Sequence, residues 1–141
     1  MEHISIALSL IATTISIATL LYEMHWNRSQ LRIDFFHAHF KEALNKLIPD
    51  ARKNLFFREE KLVNYENLQE ILAKMRQNAD FFKYYSPSFY EAFKKQNQKI
   101  EDYIGETLNK KCDEDRQTKF SQTIDKELQK LYKIITQEYF G

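Results

Sequence analysis

Glycine and proline, the residues that most often interrupt a helix, number only two each in this chain of 141 residues. Inside a helix they cost about 1 and about 3 kcal/mol relative to alanine, so their scarcity favours long helices. It argues against all-β and doubly wound α/β folds, which need many tight turns. We therefore predict an all-α protein, whose 11 Phe and 8 Tyr can supply a substantial core.

The segment Ile4–Tyr22 near the N-terminus contains no charged residue. At about 1.5 Å per residue it would extend over about 28 Å, close to the thickness of the hydrocarbon core of a bilayer. A secretory signal is disfavoured, because no basic residue precedes the segment and no small-residue cleavage pattern follows it. The sequence predicts a transmembrane helix within residues 1–27, and a buried core helix is the alternative.

Basic residues set the predicted orientation of this helix. No Lys or Arg precedes Arg28, and Arg32 follows one turn later. By the positive-inside rule, residues 28–141 are cytoplasmic and the N-terminus lies outside, in the inner membrane of a bacterial cell. The predicted fold is all-α, with one N-terminal transmembrane helix followed by a cytoplasmic antiparallel helical bundle in residues 28–141.

Small and hydroxyl residues recur along one side of the N-terminal segment at alternating spacings of four and three. On a helix this heptad seam lies within an arc of about 80°, a pattern typical of close helix–helix contact. Its six members are Ser5, Ser9, Ala12, Ser16, Thr19 and Glu23. The seam either packs copies of the helix together or lines a narrow pore with an acidic ring at Glu23. A third interpretation is that backbone carbonyls of the same helix satisfy the hydroxyls.

Helical periodicity continues through the rest of the chain, with several start and stop signals. The helical pattern of the N-terminal segment is expected to continue to Pro49, as one long helix or two nearly collinear ones. Residues 51–63 are either a short helix or a connector. Asn64 is a predicted N-cap, Ser86 caps a helix that begins at a proline, and Asp113–Asp115 begin the last helix. Because the connections are short, consecutive helices should pack antiparallel.

Templates for catalysis and cofactor binding are absent from the sequence. Two glycines leave no phosphate-binding loop, and no metal-ligand or nucleophile motif occurs. The single cysteine, Cys112, allows no disulfide within the chain, and Glu59-Glu60 indicates an exposed turn. We predict no enzymatic activity, no cofactor and no bound metal.

One stretch alternates cations with aromatic rings, a combination that can pair phosphates and stack bases. It comprises Arg52, Lys53, Phe56, Phe57, Arg58 and Lys61. These residues are the predicted ligand-binding site. The alternative is that the two phenylalanines pack in the core while the cations remain solvated.

The predicted layout resembles the small single-span membrane effectors of bacterial anti-phage defence systems. The resemblance implies a cytoplasmic domain that responds to a nucleotide or oligonucleotide, and membrane helices that assemble or open. We therefore predict a homo-oligomeric membrane effector, in one form an ion channel or membrane-permeabilising protein. Its expected partners are the lipid bilayer, copies of itself, and a nucleotide, oligonucleotide or protein regulator. The alternative is a membrane-anchored adaptor or regulatory subunit that docks a partner protein without forming a channel.

Overall fold

The structure, a computed structural model, describes the backbone of residues 2–140 and the side chains of residues 11–140. In this part of the chain it contains six α-helices, one π-helical turn and one two-stranded sheet. In chain order these are α1 (Glu2–His39), the π turn (Ala43–Leu47), α2 (Ile48–Lys53), β1 (Phe56–Arg58), β2 (Lys61–Val63), α3 (Tyr65–Ala79), α4 (Phe82–Tyr85), α5 (Pro87–Leu108) and α6 (Glu114–Phe140). The chain is mostly helical, as predicted, but the sheet was not foreseen.

The predicted transmembrane helix is contradicted. In the described part of the chain, no helix combines the length and the apolar character that crossing a bilayer requires. Residues 4–10 of the predicted span lie outside the described side chains.

The chain divides into two compact units, the N-terminal unit Met1–Phe36 and the C-terminal unit His37–Gly141. The sequence had placed this division between residues 27 and 28. In the N-terminal unit every side chain from residue 11 to residue 31 is exposed. The C-terminal unit has a closed apolar core.

The core of the C-terminal unit is built from amphipathic helices whose apolar residues recur every three or four positions. On α6 the predicted stripe is fully buried, and comprises Phe120, Ile124, Leu128, Leu131 and Ile135. An aromatic cluster surrounds Phe40, whose ring centroid lies 5.8 Å from that of Phe93 and 6.1 Å from that of Tyr139. Such contacts add about 0.5–1.5 kcal/mol per pair to the burial of the rings.

Helices α5 and α6 are antiparallel, as predicted. Gln96 in the middle of α5 hydrogen-bonds Glu127 on α6, whereas Tyr103, two turns further along, stacks on Phe120. The contacts therefore run in opposite directions along the two helices. A connector of five residues, 109–113, joins them.

The helix predicted to reach Pro49 is instead interrupted before it by the π turn. There the Ile48 amide donates to the Ala43 carbonyl, one residue further back than in an α-helix. In the same pattern the Leu44 carbonyl would need the amide of residue 49, but Pro49 has no N–H. The hydroxyl of Tyr132 on α6 donates to that carbonyl instead. Pro49 thus lies in the first turn of α2 and does not end the preceding helix.

Residues 51–63, which the sequence left open between a helix and a connector, contain the end of α2 and a β-hairpin. The strands pair Phe56 with Val63 and Arg58 with Lys61, so Glu59 and Glu60 form a two-residue turn. Both have positive φ, 51° and 63°, as a type I′ hairpin turn requires. The predicted exposed turn at these glutamates is confirmed.

One helix start makes the predicted side-chain cap, a second has the predicted residues in place without a side-chain cap, and a third does not follow the prediction. The Asp113 carboxylate accepts a 2.9 Å hydrogen bond from the Arg116 amide, as a cap of α6 should. Ser86 occupies the N-cap position of α5, ahead of the proline. Asn64 precedes α3 in a left-handed conformation, and its side chain donates to the Asn54 carbonyl instead of capping α3.

Candidate functional site

The predicted seam lies on an exposed side of α1 wherever its side chains are described. Ser5 and Ser9 lie outside the described residues, whereas Ala12, Ser16 and Thr19 are exposed. The Ser16 hydroxyl donates to the Ala12 carbonyl and the Thr19 hydroxyl to the Ile15 carbonyl, each at 2.9 Å. Because these hydroxyls are satisfied within the helix, they do not require a neighbouring helix. The small size of the seam residues still permits close approach.

Two apolar faces flank this seam. Nine large apolar side chains between residues 11 and 31 are 54–67% exposed. At about 100° per residue, one group occupies an arc of about 60° and a second group the opposite arc. Face 1 comprises Ile11, Ile15, Tyr22 and Trp26, and face 2 comprises Ile17, Leu20, Met24 and Leu31. The ninth side chain, Leu21, lies between the two faces on the side opposite the seam. The seam lies between them, about 90° from each.

The predicted ligand-binding stretch is divided by the fold, and its first cation is already paired. The Arg52 guanidinium on α2 donates to both carboxylate oxygens of Asp125, at 2.6 and 3.1 Å. It also donates to the hydroxyl of Ser121 on α6. Arg52 therefore links two helices of the core, whereas Lys53 is exposed at the end of α2.

The hairpin separates the remaining four residues onto two faces. Phe57 faces inward, and its ring meets that of Phe120 edge-on at 5.4 Å. Phe56 and Arg58 share the outer face, where the guanidinium lies 5.8 Å from the ring centroid. Lys61 is exposed beside the turn. Phe57 thus supports the core, and Phe56, Arg58 and Lys61 remain open to solvent.

The structure assembles a different site, which we call the α5–α6 groove. It is an open cavity of about 490 Å³ at the end of the two helices nearest their connector. Its walls are formed by Tyr103, Glu106, Thr107, Lys110, Cys112, Arg116, Lys119 and Phe120. A second cavity of about 430 Å³ continues along the helices and shares Tyr103 and Glu106 with the first.

The hairpin holds one end of this groove in place. The Cys112 amide donates to the Glu60 carbonyl at 3.0 Å, which ties the connector to the hairpin turn. Phe57 contacts the Phe120 ring edge-on. Tyr103 stacks on Phe120 with nearly parallel rings, whose centroids are 5.4 Å apart and whose planes are inclined by 10°. Three rings from three elements therefore fix the position of the half-exposed Tyr103.

Basic side chains dominate the first cavity. Lys110, Arg116 and Lys119 are exposed, and none of them makes a salt bridge within the described residues. The single carboxylate of this cavity is Glu106. Three cations around one carboxylate make the cavity attractive to an anion.

The second cavity ends at a buried ionic network. Glu127 is 5% exposed and accepts hydrogen bonds from Gln96 and Lys130 at 2.8 Å and from Lys99 at 3.3 Å. Burial alone raises the pKa of Glu127, but these hydrogen bonds outweigh it and hold the pKa at about 2. The charge of Glu127 is therefore compensated inside the protein.

Sequence reasoning did not find this groove, because its residues come from two consecutive helices whose facing sides the sequence does not specify. The spacing of Arg116, Lys119 and Phe120 places them on one side of α6, but the sequence does not show what faces them. Among the described residues, no three His, Cys, Asp or Glu side chains converge as a metal site would require. No protein-family model, curated protein or solved structure matches this chain.

Proposed function

We propose that this protein is a homo-oligomeric effector without catalytic activity, which assembles through α1 and uses its C-terminal unit to sense a regulator. The observation that supports assembly is the double apolar surface of α1. A helix that is apolar on opposite sides is normally buried between neighbours. A single chain leaves faces 1 and 2 exposed along about 30 Å of helix.

The two faces favour a particular kind of assembly. They are composed of different residues and point in opposite directions, so face 1 of one copy can pack against face 2 of the next. Such heterologous contacts generate rings when the rotation closes. The small residues of the seam lie between the faces, where neighbouring helices can approach closely.

The predicted channel and the predicted inner-membrane location are not part of this proposal. Both depend on a helix that spans the membrane, which the structure contradicts. The layout that resembled anti-phage effectors depends on the same helix. What remains of that prediction is an assembling effector with a sensing domain. The alternative is an adaptor that docks a partner protein through the same exposed helix.

Two complementary variants test the assembly. Ile15→Lys places a charge on face 1, and Leu20→Lys places the same charge on face 2, at side chains of nearly equal exposure. Light scattering and native mass spectrometry should find an oligomer of the unmodified chain and a monomer of each variant. His25→Lys, on the side of α1 opposite the seam, is the control and should leave the oligomer intact.

Mixing the two variants distinguishes heterologous contact from two-fold contact. Each variant keeps one intact face, so an equimolar mixture should form heterodimers and nothing larger. A mixture that stays monomeric would contradict the head-to-tail arrangement.

A monomeric unmodified chain at about 100 μM would refute self-assembly. In that case, binding of the chain to phospholipid vesicles would show that the apolar faces of α1 contact a lipid surface. If the chain bound neither vesicles nor copies of itself, the adaptor would be the better proposal. Far-ultraviolet circular dichroism should show equal helix content in all variants.

A further inference from the structure

We propose that the α5–α6 groove binds a small ligand that carries a phosphate group on a flat ring system, as a nucleoside monophosphate does. The proposal rests on the sensing role assigned above to the C-terminal unit, and it names the chemistry that this unit would recognise. It is argued from the groove alone, without reference to α1.

The cations of the groove fit a phosphate. Arg116 can offer two parallel N–H donors, a geometry that matches two phosphate oxygens, and Lys110 and Lys119 add two point charges. One guanidinium nitrogen of Arg116 donates to the Lys111 carbonyl at 3.3 Å, which holds the guanidinium group near the cavity. Because these three cations make no salt bridge within the described residues, they do not have to break an ion pair to bind an anion.

The aromatic wall fits the ring of such a ligand. Tyr103 lines the cavity, is partly exposed and is held in place by stacking on Phe120, so a ligand ring can stack on it. Base–aromatic stacking contributes about 1–3 kcal/mol. Glu106, on the same wall, can accept hydrogen bonds from sugar hydroxyls or an exocyclic amine. The cavity volume of about 490 Å³ lies within the usual range for small-molecule sites.

Titration calorimetry of the full chain with three probes tests the proposal: adenosine monophosphate, adenosine and inorganic phosphate. Adenosine monophosphate should bind at least tenfold more tightly than either of the others, because it uses both the cations and the ring. Equal affinity for phosphate and the nucleotide would refute the ring contact. Equal affinity for adenosine and the nucleotide would refute the phosphate contact. No binding at millimolar concentration would refute the site.

Charge-reversal variants locate the binding. Arg116→Glu and Lys119→Glu should each weaken nucleotide binding at least tenfold. Lys133→Glu, exposed about four turns beyond Lys119 on α6 and outside both cavities, is the matched control and should bind as the unmodified chain does. A similar loss in the control would show that the overall charge, and not the groove, attracts the nucleotide.

Tyr103→Leu provides an independent readout, because it removes the ring on which the ligand would stack. It should weaken binding of adenosine monophosphate at least tenfold and leave binding of inorganic phosphate unchanged, and unchanged nucleotide binding would place the nucleotide elsewhere. Light scattering on the same samples records assembly separately. Loss of nucleotide binding is then distinguished from loss of the oligomer, and monomeric Ile15→Lys should still bind the nucleotide.

Discussion

The two units of this protein treat apolar side chains in opposite ways. In the C-terminal unit, α6 directs Phe120, Ile124 and Leu131 into a core where they are almost completely buried. In the N-terminal unit, Ile15 and Leu20 on α1 are about 60% exposed although they are equally apolar. The amphipathic helices have one polar side, whereas α1 is apolar on two sides.

This difference in burial indicates where each unit obtains its stability. The C-terminal unit gains the free energy of apolar burial within one chain, at about 25 cal/mol per Å². The exposed part of α1, residues 11–31, can gain it only from another molecule. Polar groups follow the same division, because Glu127 is bound by three residues from two helices, whereas Ser16 bonds only the preceding turn.

The largest expected change in the free energy of unfolding comes from truncating a buried leucine of the C-terminal unit, and its counterpart is an exposed leucine of α1. Leu131→Ala removes a fully buried side chain and should lower the free energy of unfolding by about 2–5 kcal/mol. Leu20→Ala should change it by less than about 0.5 kcal/mol in a monomeric background such as Ile15→Lys. Denaturant unfolding measures both. Equal losses in the two units would show that α1 is covered within one chain.

An acid titration should separate the two kinds of polar group. Because the pKa of Glu127 is lowered to about 2 in the folded protein, its contribution to stability is present above its ordinary value of 4.5. The contribution is lost as the pH falls from 4.5 toward 2. Glu127→Gln should cost about 2 kcal/mol at pH 7 and much less at pH 2.5, measured by urea unfolding.

The matched comparison is Ser16→Ala, which removes a hydroxyl that is satisfied within its own helix. It should have no pH-dependent effect over the same range. A loss of stability for Glu127→Gln that is the same at both pH values would contradict the role of its charge.

The smallest expected effect concerns Gly105, a position in α5 where no neighbouring element would contact an added side-chain atom. A Cβ added to Gly105 would meet nothing within 4 Å outside its own helix. Gly105→Ala should therefore raise the free energy of unfolding by about 1 kcal/mol through helix propensity alone. Thermal unfolding of the Ile15→Lys background measures it. A decrease would indicate that the C-terminal unit needs the flexibility of a glycine there.

Much of the C-terminal unit could be predicted from the sequence, because its signals are local. The apolar period of α6, the Asp113 cap and the Ser86 start depend on neighbours within one or two turns. The hairpin was missed because its turn has glutamates where asparagine and glycine are usual. The π turn was missed because its partner, Tyr132, is far away in sequence.

The candidate site was harder to predict, since a cluster in sequence need not be a cluster in space. Arg52 and Phe57 are close in the chain, yet one is paired with Asp125 and the other packs on Phe120. Tyr103 and Lys119 are sixteen positions apart but line one cavity. The antiparallel arrangement of α5 and α6 brings them together, and sequence periodicity does not specify which sides of two helices face each other.

The hydrogen bond from Tyr132 to the Leu44 carbonyl makes the residues tolerated at positions 49 and 132 depend on each other. As long as residue 49 lacks an amide hydrogen, a hydroxyl at position 132 is the available donor, so a chain that loses the tyrosine is left with an orphaned acceptor. A chain that first exchanges the proline regains a local donor, and loss of the tyrosine hydroxyl then no longer leaves this carbonyl without a partner. The order in which these two substitutions are tolerated is therefore set by the backbone.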